Sequence, residues 1–159
     1  MIELEQEWLK GRSSLGAAAK WTADEIRLVA EIGYALADQG RIEEAISLFE
    51  GLAVLAPATA YFQSALGALY LRENKPDKAL KHLNIALSLD SKDIFSLVNR
   101  GEAYLRLGKR DIAIKDLKSA IQKGKFFKSE SEIQTPLLQC LTRAKALVNT
   151  IEKFGIGTV

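Results

Sequence analysis

The sequence predicts an all-α fold, a solenoid of three helical hairpins between an N-terminal helix and a C-terminal capping helix. Three series of residues predict it. Glycines recur at Gly33, Gly67 and Gly101, small residues at Ala45, Ala79 and Ala113, and large apolar residues at Phe49, Leu83 and Leu117, always at an interval of 34 residues. A period of that size marks stacked helix–turn–helix units, none of which can bury its apolar face alone. Glycine inside a helix costs about 1 kcal/mol relative to alanine. Its return at one phase therefore predicts that another helix comes too close for a side chain. The chain divides into an N-terminal segment (1–25), three units (26–59, 60–93 and 94–127), and a capping helix with its tail (128–159).

Ile2, Leu4, Trp8 and Leu9 have the spacing of a short amphipathic helix over residues 2–10, interrupted by Gly11 and the polar Arg12-Ser13-Ser14. The end face of a solenoid needs covering, so Trp8 has three roles open to it: cap of the first unit, contact in a dimer, or part of a frayed tail. Thr22-Ala23-Asp24-Glu25 is a capping box that starts the first repeat helix, with Trp21 placed to staple against Ile26. Ile26, Val29, Ile32, Gly33 and Leu36 make one apolar stripe, and Ile42, Ala45, Ile46, Phe49 and Leu52 make the next.

Gly40, in Asp38-Gln39-Gly40-Arg41, can take the left-handed conformation that ends a helix, and Gly108 does the same in the third unit. The middle unit has Asn74 there, the next most tolerant residue, followed by Pro76 in a first helical turn. Lys123-Gly124-Lys125 breaks the pattern, and Phe126 and Phe127 are expected to pack under the last unit. Thr135 and Pro136 open the final helix as cap and first-turn residue. Its stripe of Leu137, Leu138, Leu141, Ala144, Leu147, Val148 and Ile151 covers the last unit. Cys140 fills space within it, and Gly155–Val159 reads as a disordered tail.

Composition narrows the function. No apolar run approaches the roughly 20 residues needed to span a bilayer, and the acidic start around Glu3, Glu5 and Glu7 is unlike a signal peptide. A single cysteine forms no internal disulfide. The expected location is the cytoplasm, with no membrane partner. A net charge of +2 is too small to argue for nucleic acid, and the one cluster of lysines with aromatics, Lys125 to Lys128, has no second RNA-binding feature beside it. His82 has no serine or cysteine near it in sequence, and its face is expected to meet solvent. One histidine and one cysteine do not make a zinc ligand set. Gly108-Lys109-Arg110 lacks the other glycines of a phosphate loop, and Glu43-Glu44 reads as a solvated helix face. No enzyme, metal or cofactor is expected.

The small residues in phase, the aromatics Tyr70 and Tyr104 three places after their glycines, and Pro57 at the end of the first unit resemble the tetratricopeptide repeat family. Leu36 stands where an aromatic is usual, and Arg100 where an aliphatic is. The resemblance implies that the first helix of each pair lines a concave groove. Its candidates are Arg27, Tyr34 and Ala37 in the first unit, Tyr61, Ser64, Ala68 and Leu71 in the second, and Phe95, Asn99 and Glu102 in the third. Such an apolar, aromatic surface suits an extended peptide, unless these side chains pack between the units instead. Co-chaperones of the family clamp a C-terminal carboxylate with Lys, Asn and Arg. Ala30, Tyr34, Ala65, Phe95 and Asn99 stand at the matching places, and only Asn99 can pair with a carboxylate.

The run Leu48-Phe49-Glu50-Gly51-Leu52-Ala53-Val54-Leu55, then Tyr61-Phe62 and Leu66-Gly67-Ala68, is similar to the class II chaperones of type III secretion. That resemblance implies a hydrophobic secreted translocator as partner, with its apolar side chains in pockets near Tyr34, Ala37, Tyr61 and Ala68. It also implies homodimerisation through the N-terminal region. The alternative is an adaptor that scaffolds a multi-protein assembly.

Overall fold

A computed structural model describes residues 20–127 and 134–154. The helix expected over residues 2–10, the N-terminal dimer contact, Lys128 with the polar loop after it, and the Gly155–Val159 tail lie outside the described residues. Among the described residues seven helices run in order: α1 (Ala23–Asp38), α2 (Ile42–Leu55), α3 (Ala60–Arg72), α4 (Pro76–Leu89), α5 (Ile94–Arg106), α6 (Arg110–Gly124) and α7 (Thr135–Phe154). The described residues contain no strand. Each odd-numbered helix packs on the even-numbered one that follows it, each hairpin packs on the next, and α7 closes over α5 and α6. This is the all-α solenoid that the 34-residue period predicts.

The three series interlock. A methyl built on Gly33 would meet the Phe49 ring at 2.8 Å, one on Gly67 would overlap the Leu83 side chain, and one on Gly101 would meet Leu117 at 2.8 Å. Phe49, Leu83 and Leu117 are completely buried, as are the three alanines in phase with them. The glycine of each first helix is thus the socket for the large residue of the second. Packing at crystal-like density leaves such a socket no slack. Gly124 repeats the device at the cap, where Leu141 occupies the seat.

Local signals hold as well. Thr22 Oγ1 accepts from the Glu25 amide at 3.2 Å, and the Thr22 amide donates to the Glu25 carboxylate at 2.8 Å. That carboxyl is held below its ordinary range, first by this backbone bond. Gly40, Asn74 and Gly108 all sit at positive φ, at 80°, 54° and 74°, so the three hairpins turn on one backbone geometry. Helix α7 differs by one place: Thr135 is its first residue rather than its cap, the Gln134 carbonyl accepts from the Leu138 amide at 3.1 Å, and Pro136 lies in the first turn as expected. Cys140 is buried against the last unit, and burial pushes its thiol up.

Three expectations need correction. Ile32 does not join the core stripe; it is 48% exposed, because the helix rotates Ala30, Gly33 and Ala37 inward instead. Phe126 is 84% exposed and Phe127 is exposed too. Leu141 and Cys140 already fill the space under the last unit, and no seat remains for either ring. His82 does not simply face water: it is half-buried, its ring stacks on Tyr70 with centroids 5.3 Å apart, and its Nδ1 lies 2.9 Å from Gln63 Oε1.

Candidate functional site

The first helices of the three hairpins are tied together at two levels, and the level that differs between them creates the site. At their C-terminal ends the ties repeat. Arg72 donates to the Ala37 carbonyl at 2.8 Å, and Arg106, 34 residues later, donates to the Leu71 carbonyl at 2.6 Å. Each arginine adds a second hydrogen bond to a carbonyl at the end of the preceding first helix, where Ala37 already accepts from the Gly40 amide at 3.1 Å and Leu71 from the Asn74 amide at 3.0 Å.

At the N-terminal ends the ties do not repeat. Between α3 and α5, Asp93 caps α5 by accepting from the Phe95 and Ser96 amides, and it also accepts from Ser64 Oγ at 3.0 Å. Ser96 Oγ donates to Ser64 Oγ at 2.8 Å. This buried polar clamp draws α5 onto α3. One period earlier, Ala30, Thr59 and Phe62 stand where Ser64, Asp93 and Ser96 stand. Alanine has nothing to donate, the Thr59 side chain makes no cap bond, and Phe62 needs room. Helices α1 and α3 therefore make little direct backbone contact, unlike α3 with α5.

The result is a wedge, pinned by Arg72 and open at the other end, with a volume of about 580 Å³. Its walls are Ala23, Ile26, Ala30 and Tyr34 from α1, Tyr61 and Phe62 from α3, and Ala56 and Thr59 from the connection between them; Arg27 and Glu31 add charge. Tyr34 packs edge-on against Phe49 at 5.0 Å and leans on Tyr61 at 5.9 Å, and Tyr61 meets Phe62 at 5.8 Å. Burial first, then the neighbouring Tyr61, pushes the Tyr34 phenol well above its ordinary value. The wedge falls within the size range of ligand sites, and its lining is mostly apolar.

The ten expected groove residues separate on this geometry. Arg27, Tyr34 and Tyr61 come together in the wedge. Phe95 is exposed on α5 one period beyond Tyr61, and Ala68 is half-buried. Ala37 and Leu71 are buried in the core, each offering only the carbonyl that an arginine takes. Ser64 is buried in the clamp. Asn99 is buried and accepts from Arg143 of α7 at 2.7 Å, so its amide oxygen is engaged within the fold. Glu102 pairs with Arg106 at 2.6 Å and Arg143 at 3.6 Å. Ile26, Ala56, Thr59 and Phe62 were missed by groove reasoning from the sequence. Aligning 59, 62 and 30 with 93, 96 and 64 would have found the missing clamp.

Models described as tetratricopeptide repeat match residues 31–94 and 96–122. Among curated proteins, Hsc70-interacting protein 1 of Drosophila melanogaster is 32% identical over 98 residues, 62% of this chain and 25% of that protein. The chain thus spans about a quarter of that relative's length. Among solved structures, the type III secretion translocator chaperone SycD of Yersinia enterocolitica superposes with a TM-score of 0.75 at 18% identity, covering 87% of this chain and 98% of SycD. PcrH of Pseudomonas aeruginosa, in complex with the chaperone binding region of PopD, superposes with a TM-score of 0.72 at 20% identity, covering 83% of this chain and 94% of PcrH. These likenesses share the fold of this chain.

Proposed function

This chain belongs to the tetratricopeptide repeat family, and from that premise we propose that it is a non-catalytic module whose concave side holds an extended segment of a partner protein. The carrying observation is the aromatic wedge between α1 and α3, continued along the stack by Phe95. The wedge, at about 580 Å³, has room for at least one bulky apolar side chain. Burying a leucine- or phenylalanine-sized group contributes about 1.5–3 kcal/mol, so two or three such anchors are needed to exceed the cost of ordering an extended chain. The partner is an apolar segment without a dominant charge, since Arg27 and Glu31 at the wedge carry opposite signs.

The likeness to SycD and PcrH supports a partner of the secreted-translocator class, held soluble in the cytoplasm before export. The carboxylate-clamp mode has little support here, because Asn99 is already bonded to Arg143.

A photo-reactive residue at Tyr61, with Ile112 on α6 as a control position, tests the reading in native lysate. Cross-links from position 61 should map to an extended apolar segment of one partner and vanish with Phe95→Glu. Co-expression with that partner should keep it soluble at about equal stoichiometry. Equal capture from both positions, or capture of a folded surface, would move the reading to an adaptor that scaffolds an assembly.

A further inference from the structure

Charge is not spread evenly along the concave side. At the wedge it balances, with Arg27 at 2.9 Å from Asp24 and 4.0 Å from Glu31. Tyr34 of the wedge has Ala68 one period on and Glu102 two periods on, so Glu102 stands on the same face at the other end of the groove. There it meets two arginines, Arg106 of α5 at 2.6 Å and Arg143 of α7 at 3.6 Å. Two guanidiniums sharing one carboxylate leave one positive charge over. Arg72, one period before Arg106, adds another and has no ion pair among the described residues. The Asp93 carboxylate is spent otherwise: it is set against the N-terminus of α5 and accepts from Ser64.

Bonds within the fold do not use these arginines up. A guanidinium carries five donors. Arg143 gives one to Asn99 at 2.7 Å, and 48% of its side chain stays exposed. Arg106 bonds to the Leu71 carbonyl and to Glu102, and 34% of its side chain stays exposed. A cation held in a concave site attracts an anion more strongly than one on an open surface, because the low-dielectric walls focus its field.

We propose, resting on the reading of the concave side as the seat of an extended segment, that this segment carries an acidic side chain which Arg143 and Arg106 receive, about four to six residues from the apolar anchor in the wedge. The spacing follows from the stack. The wedge lies between α1 and α3, and the two arginines lie on α5 and α7, one and a half to two helix spacings away. At about 8–10 Å per spacing that is roughly 12–20 Å, and extended chain rises about 3.3 Å per residue. Ala68, small and half-buried, puts no large side chain in the path between them. One acid at this place is compatible with a segment that is apolar and neutral at the wedge. The site is also distinct from a clamp on a chain terminus, since Arg143 comes from the capping helix and Asn99 is only its internal partner.

The full chain, immobilised, selects from random decapeptides displayed inside a loop of a carrier protein, so that no peptide has a free end. Selected peptides should share a large apolar residue with an Asp or Glu about four to six residues from it. The tightest of them is then made as a fluorescent peptide with blocked ends. Replacing its acid by the matching amide should weaken binding about three- to tenfold, and the difference should shrink in about 0.5 M salt. Arg143→Gln, whose amide can still donate to Asn99, should make the acidic and amide peptides bind alike, while Arg143→Lys should keep most of the difference. Peptides that share the apolar anchor without the acid, or an acid effect that persists in Arg143→Gln, overturn this proposal and leave the wedge reading standing. Peptides with no apolar residue in common overturn the wedge reading and this proposal with it. Acids enriched only when the same library is displayed at a free C-terminus overturn it too, and assign the arginines to a chain end.

Discussion

Replacing Gly67 with alanine should destabilise the protein even though it removes a glycine from the middle of a helix. Propensity alone favours the substitution by about 1 kcal/mol. The added methyl, however, would overlap Leu83, a side chain with no exposed surface and no free direction to move. Forcing an extra carbon into a filled core costs about 1–3 kcal/mol; the overlap at Gly67 is tighter than at Gly33, Gly101 or Gly124, so the cost lies at about 2–3 kcal/mol and the net loss at about 1–2 kcal/mol. With a urea m-value near 1.5 kcal/mol/M, that lowers the midpoint by about 1 M.

Gly51 is the control. It lies in the interior of α2 with nothing within 4 Å of where its methyl would go, so Gly51→Ala should gain up to about 1 kcal/mol. Leu83→Ala alone should lose about 2–5 kcal/mol through its cavity. In the double variant the new methyl occupies part of that cavity, and the two losses should fall short of additive by at least about 1 kcal/mol. Urea titrations followed by circular dichroism read all four proteins. A Gly67→Ala variant as stable as its parent, or losses that add within about 0.5 kcal/mol, would refute the socket reading of the period.

Asp93→Ala should lose about 1–2 kcal/mol, because it removes both the α5 cap and the acceptor for Ser64. The matching Thr59→Ala should change the urea midpoint little, since Thr59 makes no cap bond. Burial holds the His82 pKa below its ordinary value. As pH falls through about 6.5 the unfolded chain binds the proton first, so stability should decline on acidification, and His82→Gln should flatten that limb of the melting-temperature profile. Burial, then the bond to Glu50, pushes the Tyr70 phenol up to about 12. The unfolded tyrosine ionises first, near pH 10, so stability should fall between about pH 10 and 12, and Tyr70→Phe should lessen the fall.

Much of the fold was legible because its signals are local and repeated. A glycine that needs a socket, a turn that needs positive φ and a threonine that needs Glu25 three places on each show in a few residues, and the 34-residue period multiplies the first two signals. Ile32 was misread because an apolar residue at helical spacing does not say which neighbour it meets. Asn99 and Glu102 looked available because their partner, Arg143, lies more than forty residues away on α7. His82 looked solvated because Gln63 and Tyr70 reach it from another helix.

The sequence by itself determined the repeat, the hairpins, their turns and the helix that finishes the C-terminal end, since each follows from periodicity and backbone preference. Only the tertiary structure decided where the stack opens. The gap between neighbouring first helices is set by competing long-range packing: a Ser64–Asp93–Ser96 clamp closes one gap, and Ala30, Thr59 and Phe62 leave the other open. That balance depends on side chains brought together from separate hairpins, and three dimensions are needed to weigh it.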